Sequence, residues 1–218
     1  MKRILPVLGF TVFTLLVFPV VLPVSATVIT FDDMTSTIIS NGVPVLQTDA
    51  VITNGYQGLN WANLHTLNAL IVAKTFGTNG YYYGMVTASN VAFNSGGTPA
   101  EVDSSGTDFN FLSAYLTGGW NSNLNIEVEG FRGASLVYSQ IVVASATSPT
   151  LFAFNYLDID RLTFNSFGGQ KNAGFPDGGG TQFSMDNFTF EFVPEPSSLL
   201  LATAAALLLC PHLKRKRD

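Results

Sequence analysis

The sequence predicts an all-β fold, an antiparallel β-sandwich or jelly roll, for the body of the chain at residues 27–193. Apolar and polar residues alternate in several short segments, for example at residues 124–129, and this alternation is the pattern of a half-buried strand. Asn-Gly pairs and glycine runs separate the segments and predict turns. Short strands at this spacing, without a repeat of fixed period, are typical of a sandwich or jelly roll.

The strands can be placed one by one along the chain. Residues 124–129 and 135–143 are predicted to form a hairpin about a turn at residues 130–133. In the last strand, Phe188, Phe190 and Phe192 share one face, and Phe183 and Met185 share a face displaced by one residue. The other predicted strands are at residues 28–31, 91–93, 109–116, 151–156 and 161–167, and the last strand covers residues 182–192.

Residues 55–84 are the least regular part of the body. They predict either a short helix near residues 64–74 or a long functional loop.

The N-terminus has the pattern of a secretory signal peptide over residues 1–26. Two basic residues precede an apolar run at residues 4–24, and Val24 and Ala26 suit the −3 and −1 positions of a signal peptidase site. We therefore expect signal peptidase to cut after Ala26. A retained N-terminal anchor is the alternative interpretation, although prolines in the run would interrupt a long helix.

The C-terminal segment, residues 194–218, combines a proline-rich hinge, an apolar stretch at residues 199–210 and a basic end. Basic residues behind an apolar helix hold that end in the cytoplasm. The hinge consists of Pro194, Glu195 and Pro196, and the basic end consists of Lys214, Arg215, Lys216 and Arg217.

This arrangement resembles the PEP-CTERM sorting signal of Gram-negative bacteria, a type of tail that also ends some ice-binding proteins. The resemblance implies that exosortase, a membrane protease-transpeptidase, recognises Pro194-Glu195-Pro196 while the tail is transiently anchored in the inner membrane. It also implies export to the cell envelope or the extracellular matrix. The apolar stretch is shorter than the roughly 20 residues of a spanning helix, so spanning would require residues 197–213.

The composition of the body disfavours nucleic-acid binding, because neutralising phosphates requires Lys and Arg. All acidic residues except Glu195 and Asp218 lie in the body. The single cysteine lies in the tail at position 210, so an intrachain disulfide is excluded. The basic residues of the body are Lys74, Arg132, Arg161 and Lys171.

The body offers few groups for catalysis. His65 is its one histidine, and it has no Ser/His/Asp arrangement or HExxH spacing around it, so we predict a hydrogen-bonded polar residue. Glu127 and Glu129 share one face of a strand, which predicts a solvated face. A carboxylate pair for glycoside hydrolysis could still lie among the acidic residues. A secreted glycosidase-like hydrolase is therefore the alternative to a non-enzymatic protein.

Six motifs follow one another along the body: Ile29-Thr30-Phe31-Asp32-Asp33, Gly55-Tyr56-Gln57-Gly58-Leu59-Asn60-Trp61, Asn90-Val91-Ala92-Phe93-Asn94, Phe109-Asn110-Phe111, Val128-Glu129-Gly130-Phe131 and Met185-Asp186-Asn187-Phe188-Thr189. With this order of motifs, the body resembles secreted bacterial β-sandwich domains that precede PEP-CTERM tails, and these are similar to galactose-binding-like and carbohydrate-binding modules.

A structural Ca²⁺ site is the cofactor that we predict. Asp32 and Asp33 end the first strand, Asp186 and Asn187 lie in the last one, and the first and last strands of a sandwich often pair. Ca²⁺ takes six to eight oxygen ligands, and the galactose-binding-like resemblance implies a structural calcium near such an edge. The alternative is that these side chains cap turns and strand ends.

Glycan binding is the function that we predict for the surface. A sugar site needs exposed aromatic rings for stacking, with Asn, Asp and Gln beside them to bond the hydroxyls. If the three adjacent tyrosines lie in a strand, at least one of them is exposed. Each tryptophan could instead be a core anchor. The candidate ligand-binding residues are Tyr56, Trp61, Tyr81, Tyr82, Tyr83 and Trp120.

Together these observations predict a secreted, exosortase-sorted protein with a non-enzymatic glycan-binding or matrix-structural body. The sorting resemblance implies a setting of exopolysaccharide production and biofilm, with polysaccharide as the partner and no role for nucleic acid.

Overall fold

Strands account for most of the body, and most of them belong to two antiparallel sheets. The computed structural model describes residues 25–193 apart from 35–36, 41–42 and 47–48, and it describes no side chain between residues 35 and 48. The predicted signal peptide up to Val24 and the predicted sorting segment at residues 194–218 lie outside the described residues. Among the residues that are described, no helix is long and apolar enough to cross a membrane.

The element bounds are as follows. The strands are β1 (Thr27–Ile29), β2 (Thr37–Ser40), β3 (Val43–Leu46), β4 (Ala50–Val51), β5 (Asn60–Ala62), β6 (Leu64–Asn68), β7 (Asn90–Asn94), β8 (Ala100–Asp103), β9 (Phe109–Gly118), β10 (Asn121–Ser122), β11 (Leu124–Arg132), β12 (Ser135–Ala144), β13 (Thr150–Ile159), β14 (Arg161–Phe167), β15 (Gln170–Lys171) and β16 (Phe183–Phe192). The helices are α1 (Ala69–Phe76) and α2 (Gly80–Tyr83), and single 3₁₀ turns lie at Tyr56–Gly58 and Ser95–Gly97.

The seven-stranded sheet has the order β13-β9-β16-β7-β6-β4, with β1 paired to β16, and the five-stranded sheet has the order β12-β11-β14-β8-β5. All of these pairs are antiparallel. The first and last strands pair, with Val28 opposite Thr189, as the sequence predicts. Two small ribbons, β2–β3 and β10–β15, complete the set. The predicted all-β antiparallel sandwich is confirmed.

The main core lies between the two sheets and is rich in phenylalanine. Phe111 of the seven-stranded sheet packs on Phe164 of the five-stranded sheet, with ring centroids 6.1 Å apart. The Phe111 ring also stacks on Phe154 at 4.9 Å and on Phe188 at 4.7 Å. Edge-to-face and stacked pairs of this kind add to the stabilisation from area burial alone. Phe111 therefore links its own strand, β9, to β13, β14 and β16.

A β-bulge in β16 explains the displaced apolar pattern of the last strand. Asn187 has φ 49°, and the register of β16 against β9 shifts between Asp186 and Thr189. One extra residue at a bulge reverses which face the following side chains occupy. Met185 before the bulge and Phe188 after it therefore both point into the main core.

The irregular segment of the sequence contains more structure than the sequence predicts. Residues 64–68 form strand β6, and the helix runs from Ala69 to Phe76, so the predicted helix near 64–74 begins too early. The side chain of Asn68 accepts a hydrogen bond from the backbone N–H of Ile71, at 3.1 Å, which caps α1 at its N-terminus. Eight short strands are missing from the sequence prediction, because strands of two to five residues carry little periodic signal. They are β2, β3, β4, β5, β6, β8, β10 and β15.

The remaining strand predictions agree with the structure to within a few residues, and β14 matches its predicted range. The predicted hairpin of β11 and β12 is confirmed, but β11 extends through Gly130 to Arg132, so the turn is shorter than predicted.

A second apolar layer covers the outer face of the seven-stranded sheet. The buried side chains of this layer come from α1, α2 and the strands beneath them, and Met85 and Trp120 pack at its margin. The buried members are Leu67, Ala69, Val72, Tyr81, Val91 and Phe93.

Replacing Phe111 by Ala tests the importance of the aromatic core. Phe111 is fully buried, so we expect the Phe111→Ala variant to lose about 3–5 kcal/mol of unfolding free energy, measured by urea denaturation. The matched control is Phe167→Ala, because Phe167 is 41% exposed, and this change should cost less than about 0.5 kcal/mol. Equal losses in the two variants would contradict the packing described here.

Candidate functional site

Four of the six predicted ligand-binding aromatics lie together, although two distant parts of the sequence supply them. Tyr81, Tyr82 and Tyr83 belong to α2, and Trp120 follows the end of β9. The rings of Tyr81 and Trp120 meet edge to face, with centroids 5.6 Å apart. Tyr56 and Trp61 lie in a separate group.

The three tyrosines occupy a helix and not the strand that the sequence prediction assumes. The Asn79 side chain causes this local fold, because its Oδ1 accepts hydrogen bonds from the N–H groups of Tyr81 and Tyr82 at 3.1 and 3.4 Å. The helical turn directs Tyr81 into the second apolar layer and leaves Tyr83 36% exposed. The expectation of at least one exposed tyrosine holds, but for a different structural reason.

A close backbone contact brings α2 onto the end of β9. The Gly80 N–H donates to the Gly119 carbonyl at 2.9 Å. A Cβ atom at Gly80 would lie 1.8 Å from the Gly118 carbonyl oxygen, so no side chain fits at this position. Glycine at this crossing therefore sets the tyrosines beside Trp120.

A loop after β15 completes the aromatic surface. Phe175 stacks on Tyr83, with ring centroids 6.1 Å apart and an interplanar angle of 16°. Gly178, with φ 84°, lies against the Trp120 indole, where a Cβ would come within 2.3 Å of the ring. The backbone N–H of Asn172 donates to the Trp120 carbonyl at 2.9 Å, and this bond ties the loop to the tryptophan.

We define the aromatic platform as Tyr82, Tyr83, Trp120 and Phe175. Tyr82 and Trp120 are half-buried, Tyr83 is exposed and Phe175 supports Tyr83 from below. Polar side chains stand next to these rings in the chain: Asn121 follows Trp120, and Asn172 and Asp177 flank Phe175. The sequence prediction missed Phe175, although a phenylalanine beside a Pro-Asp-Gly turn and a glycine run was the signal available for it.

The other two predicted aromatics form part of the main core. Trp61 packs edge to face on Phe31 and Phe188, at 5.9 and 5.5 Å, and its indole N–H donates to the Tyr56 carbonyl at 3.0 Å. The Tyr56 hydroxyl donates to Asp33 Oδ1 at 2.5 Å. Burial and this bond raise the pKa of Tyr56. Trp61 is therefore a core anchor, as the alternative interpretation had it.

A small polar cleft opens beside Trp61 at the edge of the five-stranded sheet. It has a volume of about 170 Å³. Glu101 faces Arg161, with 3.3 Å between Oε2 and Nη1, and the Asp103 carboxylate accepts from the Ser105 N–H at 2.8 Å. We call this feature the acidic cleft, and its lining residues are Asn54, Asn60, Trp61, Ala62, Glu101 and Asp103. All of these except Trp61 were absent from the predicted site.

The predicted calcium ligands lie near one another, and hydrogen bonds occupy several of their oxygens. Asp32 Oδ1 accepts from the Asn90 N–H at 2.9 Å, and Asp33 Oδ1 accepts from Tyr56. Asn187 Oδ1 is buried without a hydrogen-bond partner. Within the described part of the chain, no three His, Cys, Asp or Glu side chains converge as metal ligands would. Calcium also takes amide and backbone carbonyl oxygens, so the calcium site stays a prediction.

Asp186 is fully buried and holds the segment that follows α2. Its Oδ2 accepts from the N–H groups of Val86 and Thr87, at 2.7 and 3.0 Å, and its Oδ1 accepts from the Asn187 N–H at 2.7 Å. Burial raises the pKa of this carboxyl, the three backbone hydrogen bonds lower it, and the nearby charge of Asp32 raises it further. The net direction is upward, so burial outweighs the hydrogen bonds.

The remaining polar predictions agree with the structure. His65 Nδ1 lies 3.0 Å from Asp49 Oδ2, so the histidine is a hydrogen-bonded polar residue. Glu127 and Glu129 lie on the outer face of β11, and Glu129 accepts from the Thr163 hydroxyl at 3.1 Å.

Comparisons with known proteins show a likeness in structure and none in sequence. No protein-family model matches the chain, and a search of curated proteins finds no match. Among solved structures, the chain is similar to TmCBM61, solved in complex with β-1,4-galactotriose, with a TM-score of 0.34 and 8% sequence identity. The likeness covers 65% of this chain and 94% of that one.

The raised pKa of Asp186 predicts how an Asp186→Asn substitution changes with pH. The folded-state pKa lies above the unfolded value, so the ionised carboxylate costs stability as the pH rises through the folded-state pKa. Asn does not titrate. We therefore expect the difference in unfolding free energy, wild type minus Asp186→Asn, to fall as the pH rises above about 4, the ordinary pKa of an Asp side chain; urea denaturation measures both free energies. A difference that is flat or rises with pH would contradict this.

Proposed function

We propose that the body binds a neutral glycan, without chemical change, at the aromatic platform. The observation that carries the proposal is the pair of tyrosines Tyr82 and Tyr83, whose rings meet edge to face at 5.5 Å, with Tyr83 exposed and stacked on Phe175. Trp120 packs on Tyr81 of the same helix, with ring centroids 5.6 Å apart. Sugar rings present C–H faces that stack on aromatic rings, and amide and carboxyl groups beside the rings accept and donate hydrogen bonds to the hydroxyls.

The contacts beneath the platform support a binding role because they hold its rings before any ligand arrives. Tyr81 is buried between Phe93 and Trp120, with ring centroids 5.5 and 5.6 Å away. Asn79 fixes the turn that carries Tyr82 and Tyr83. A preorganised surface loses little conformational entropy on binding.

The charge of the body favours a neutral glycan over an acidic one. Acidic residues outnumber basic ones across the body, and the platform has Asp177 at its margin. A polyanionic chain would meet like charges there and would lose affinity.

Replacing Tyr83 by Ala should weaken glycan binding with little effect on folding. A glycan array first identifies a neutral glycan that retains the full-length protein. In calorimetric titration, we expect this glycan to bind Tyr83→Ala at least about tenfold more weakly than the wild type, because the stacking surface is lost. The matched control is Phe167→Ala, an exposed aromatic on the other sheet, which should bind as the wild type does. Retention of no glycan by the wild type, or equal affinities in both variants, would contradict the proposal.

Treatment with EDTA tests the proposed structural Ca²⁺ near Asp32, Asp33 and Asp186. Lower thermal stability after EDTA would support a bound calcium. An unchanged melting temperature would contradict the calcium proposal and would not affect the proposal of glycan binding at the platform.

A hydrolase is the second candidate function, and the acidic cleft is the observation that favours it. Glu101 and Asp103 point into this cleft from one strand, as the two carboxyl groups of a glycosidase would face a substrate. Against this, each carboxylate is bound by a neighbouring donor, Arg161 for Glu101 and Ser105 for Asp103. Release of reducing sugar by the wild type, abolished in Glu101→Gln, would establish the hydrolase and overturn the non-enzymatic proposal.

We propose further that the protein is secreted through its signal peptide and sorted by exosortase to the envelope or the matrix, in a setting of exopolysaccharide and biofilm. The support is the sequence of the two ends, with Pro194, Glu195 and Pro196 as the recognised motif.

Replacing Glu195 by Ala should leave the protein cell-associated and uncleaved, because the recognised acidic residue is lost from the hinge. The measurement is an immunoblot of cell and medium fractions from a host that contains exosortase. Asp177→Ala removes the same charge from the body and should be processed normally. Normal processing of Glu195→Ala would contradict the sorting assignment.

A further inference from the structure

Strand β12 leaves one of its backbone edges open. It forms the end of the five-stranded sheet and pairs with β11 along its length, from Ser135 to Ala144. Within the described residues, no strand pairs with its other edge. An open edge presents a row of N–H and C=O groups that can pair with another strand.

Four apolar side chains of β12 are exposed. Ile141 and Val143 are each 54% exposed and lie on the outer face, opposite Glu127 and Asn125 of β11. Leu136 and Val137 are also exposed, near the bulge at Gly130. No Asp, Glu, Lys or Arg occurs from residue 133 to residue 157, so β12 and the strand that follows it lack charged side chains over this range.

Other free edges of the sandwich have features that prevent edge-to-edge pairing, and β12 lacks these features. β4 and β5, at the opposite ends of the sheets, have two and three residues. β13 has two register shifts against β9, with Asn155 and Asp158 at positive φ. Short strands, bulges and charges are the usual means of preventing edge-to-edge pairing. From Ser139 to Ala144, β12 has none of these.

We propose that the protein self-associates by antiparallel pairing of β12 with β12 of a second copy, so that the two five-stranded sheets become one continuous sheet. A two-fold axis at Ile141 sets Ile141 against its counterpart and Val143 against Ser139, and no charged side chain enters the seam. Such a pairing closes on itself and gives a dimer.

The charge distribution favours a second copy of the chain as the partner of the open β12 edge. Two net acidic bodies repel each other, and β12 adds no charged side chain to this repulsion where two copies would pair. A basic or acidic partner would find no complementary charge along β12. The strand offers backbone hydrogen bonds and matching apolar side chains, and an identical strand satisfies both.

The test compares the full-length wild type with Ile141→Lys by size-exclusion chromatography with light scattering over about a hundredfold concentration range. A lysine on an edge strand blocks pairing, and at the two-fold axis it would meet its own copy. We expect the dimer dissociation constant to rise at least about tenfold. The matched control, Leu70→Lys, places the same charge at an exposed leucine of α1 and should leave the dimer unchanged.

Hydrogen exchange supplies a second readout that locates the contact. In the wild type, the amides of residues 139–144 should exchange more slowly as the protein concentration rises, and in Ile141→Lys they should not. A monomer at every concentration, equal association of both lysine variants, or exchange in β12 that is independent of concentration would each overturn the proposal.

Discussion

The buried carboxylate of Asp186 is the interaction on which the rest of the structure depends. It sits in β16, the strand that pairs with β1, β7 and β9, immediately before the Asn187 bulge. Its hydrogen bonds to Val86 and Thr87 fix the segment after α2. Leaving those donors buried without partners would cost about 1–3 kcal/mol each, which explains why a charged group is kept at a fully buried position despite its desolvation. Strand β16 therefore contributes to the main core and also holds the chain that follows the platform tyrosines.

The aromatic platform is a consequence of this arrangement and not of a local motif. Asp186 anchors the chain after α2, and the contact of Gly80 with Gly118 and Gly119 anchors the chain before it. Between these two points, the three tyrosines have little freedom, so Tyr81 is buried and Tyr83 faces outward. The loop with Phe175 then closes on Trp120 through a glycine. These contacts restrain the platform rings in the structure.

Strand periodicity made much of the fold predictable, and tertiary contacts determined what was not. Alternation is clear in β11 and β14, because one face of each packs on the core, and β12 was predicted as the hairpin partner of β11. The shifted pattern of β16 was visible in the sequence, whereas its cause, the bulge at Asn187, depends on pairing with β9. The sequence analysis considered the tyrosines as part of a strand and did not predict their helix. A four-residue helix stabilised by Asn79 has no periodic signal of its own. Phe175 was missed because its partner Tyr83 is distant in the sequence.

The two tryptophans allow a direct test of where a glycan binds. Trp120 lies in the platform, and Trp61 lies in the main core beside the acidic cleft. When a neutral glycan that binds the protein is titrated into it, we expect the indole N–H resonance of Trp120 to shift in ¹⁵N-resolved spectra and that of Trp61 to stay unchanged. A shift of the Trp61 resonance with that of Trp120 unchanged would contradict binding at the platform and would place it at the acidic cleft.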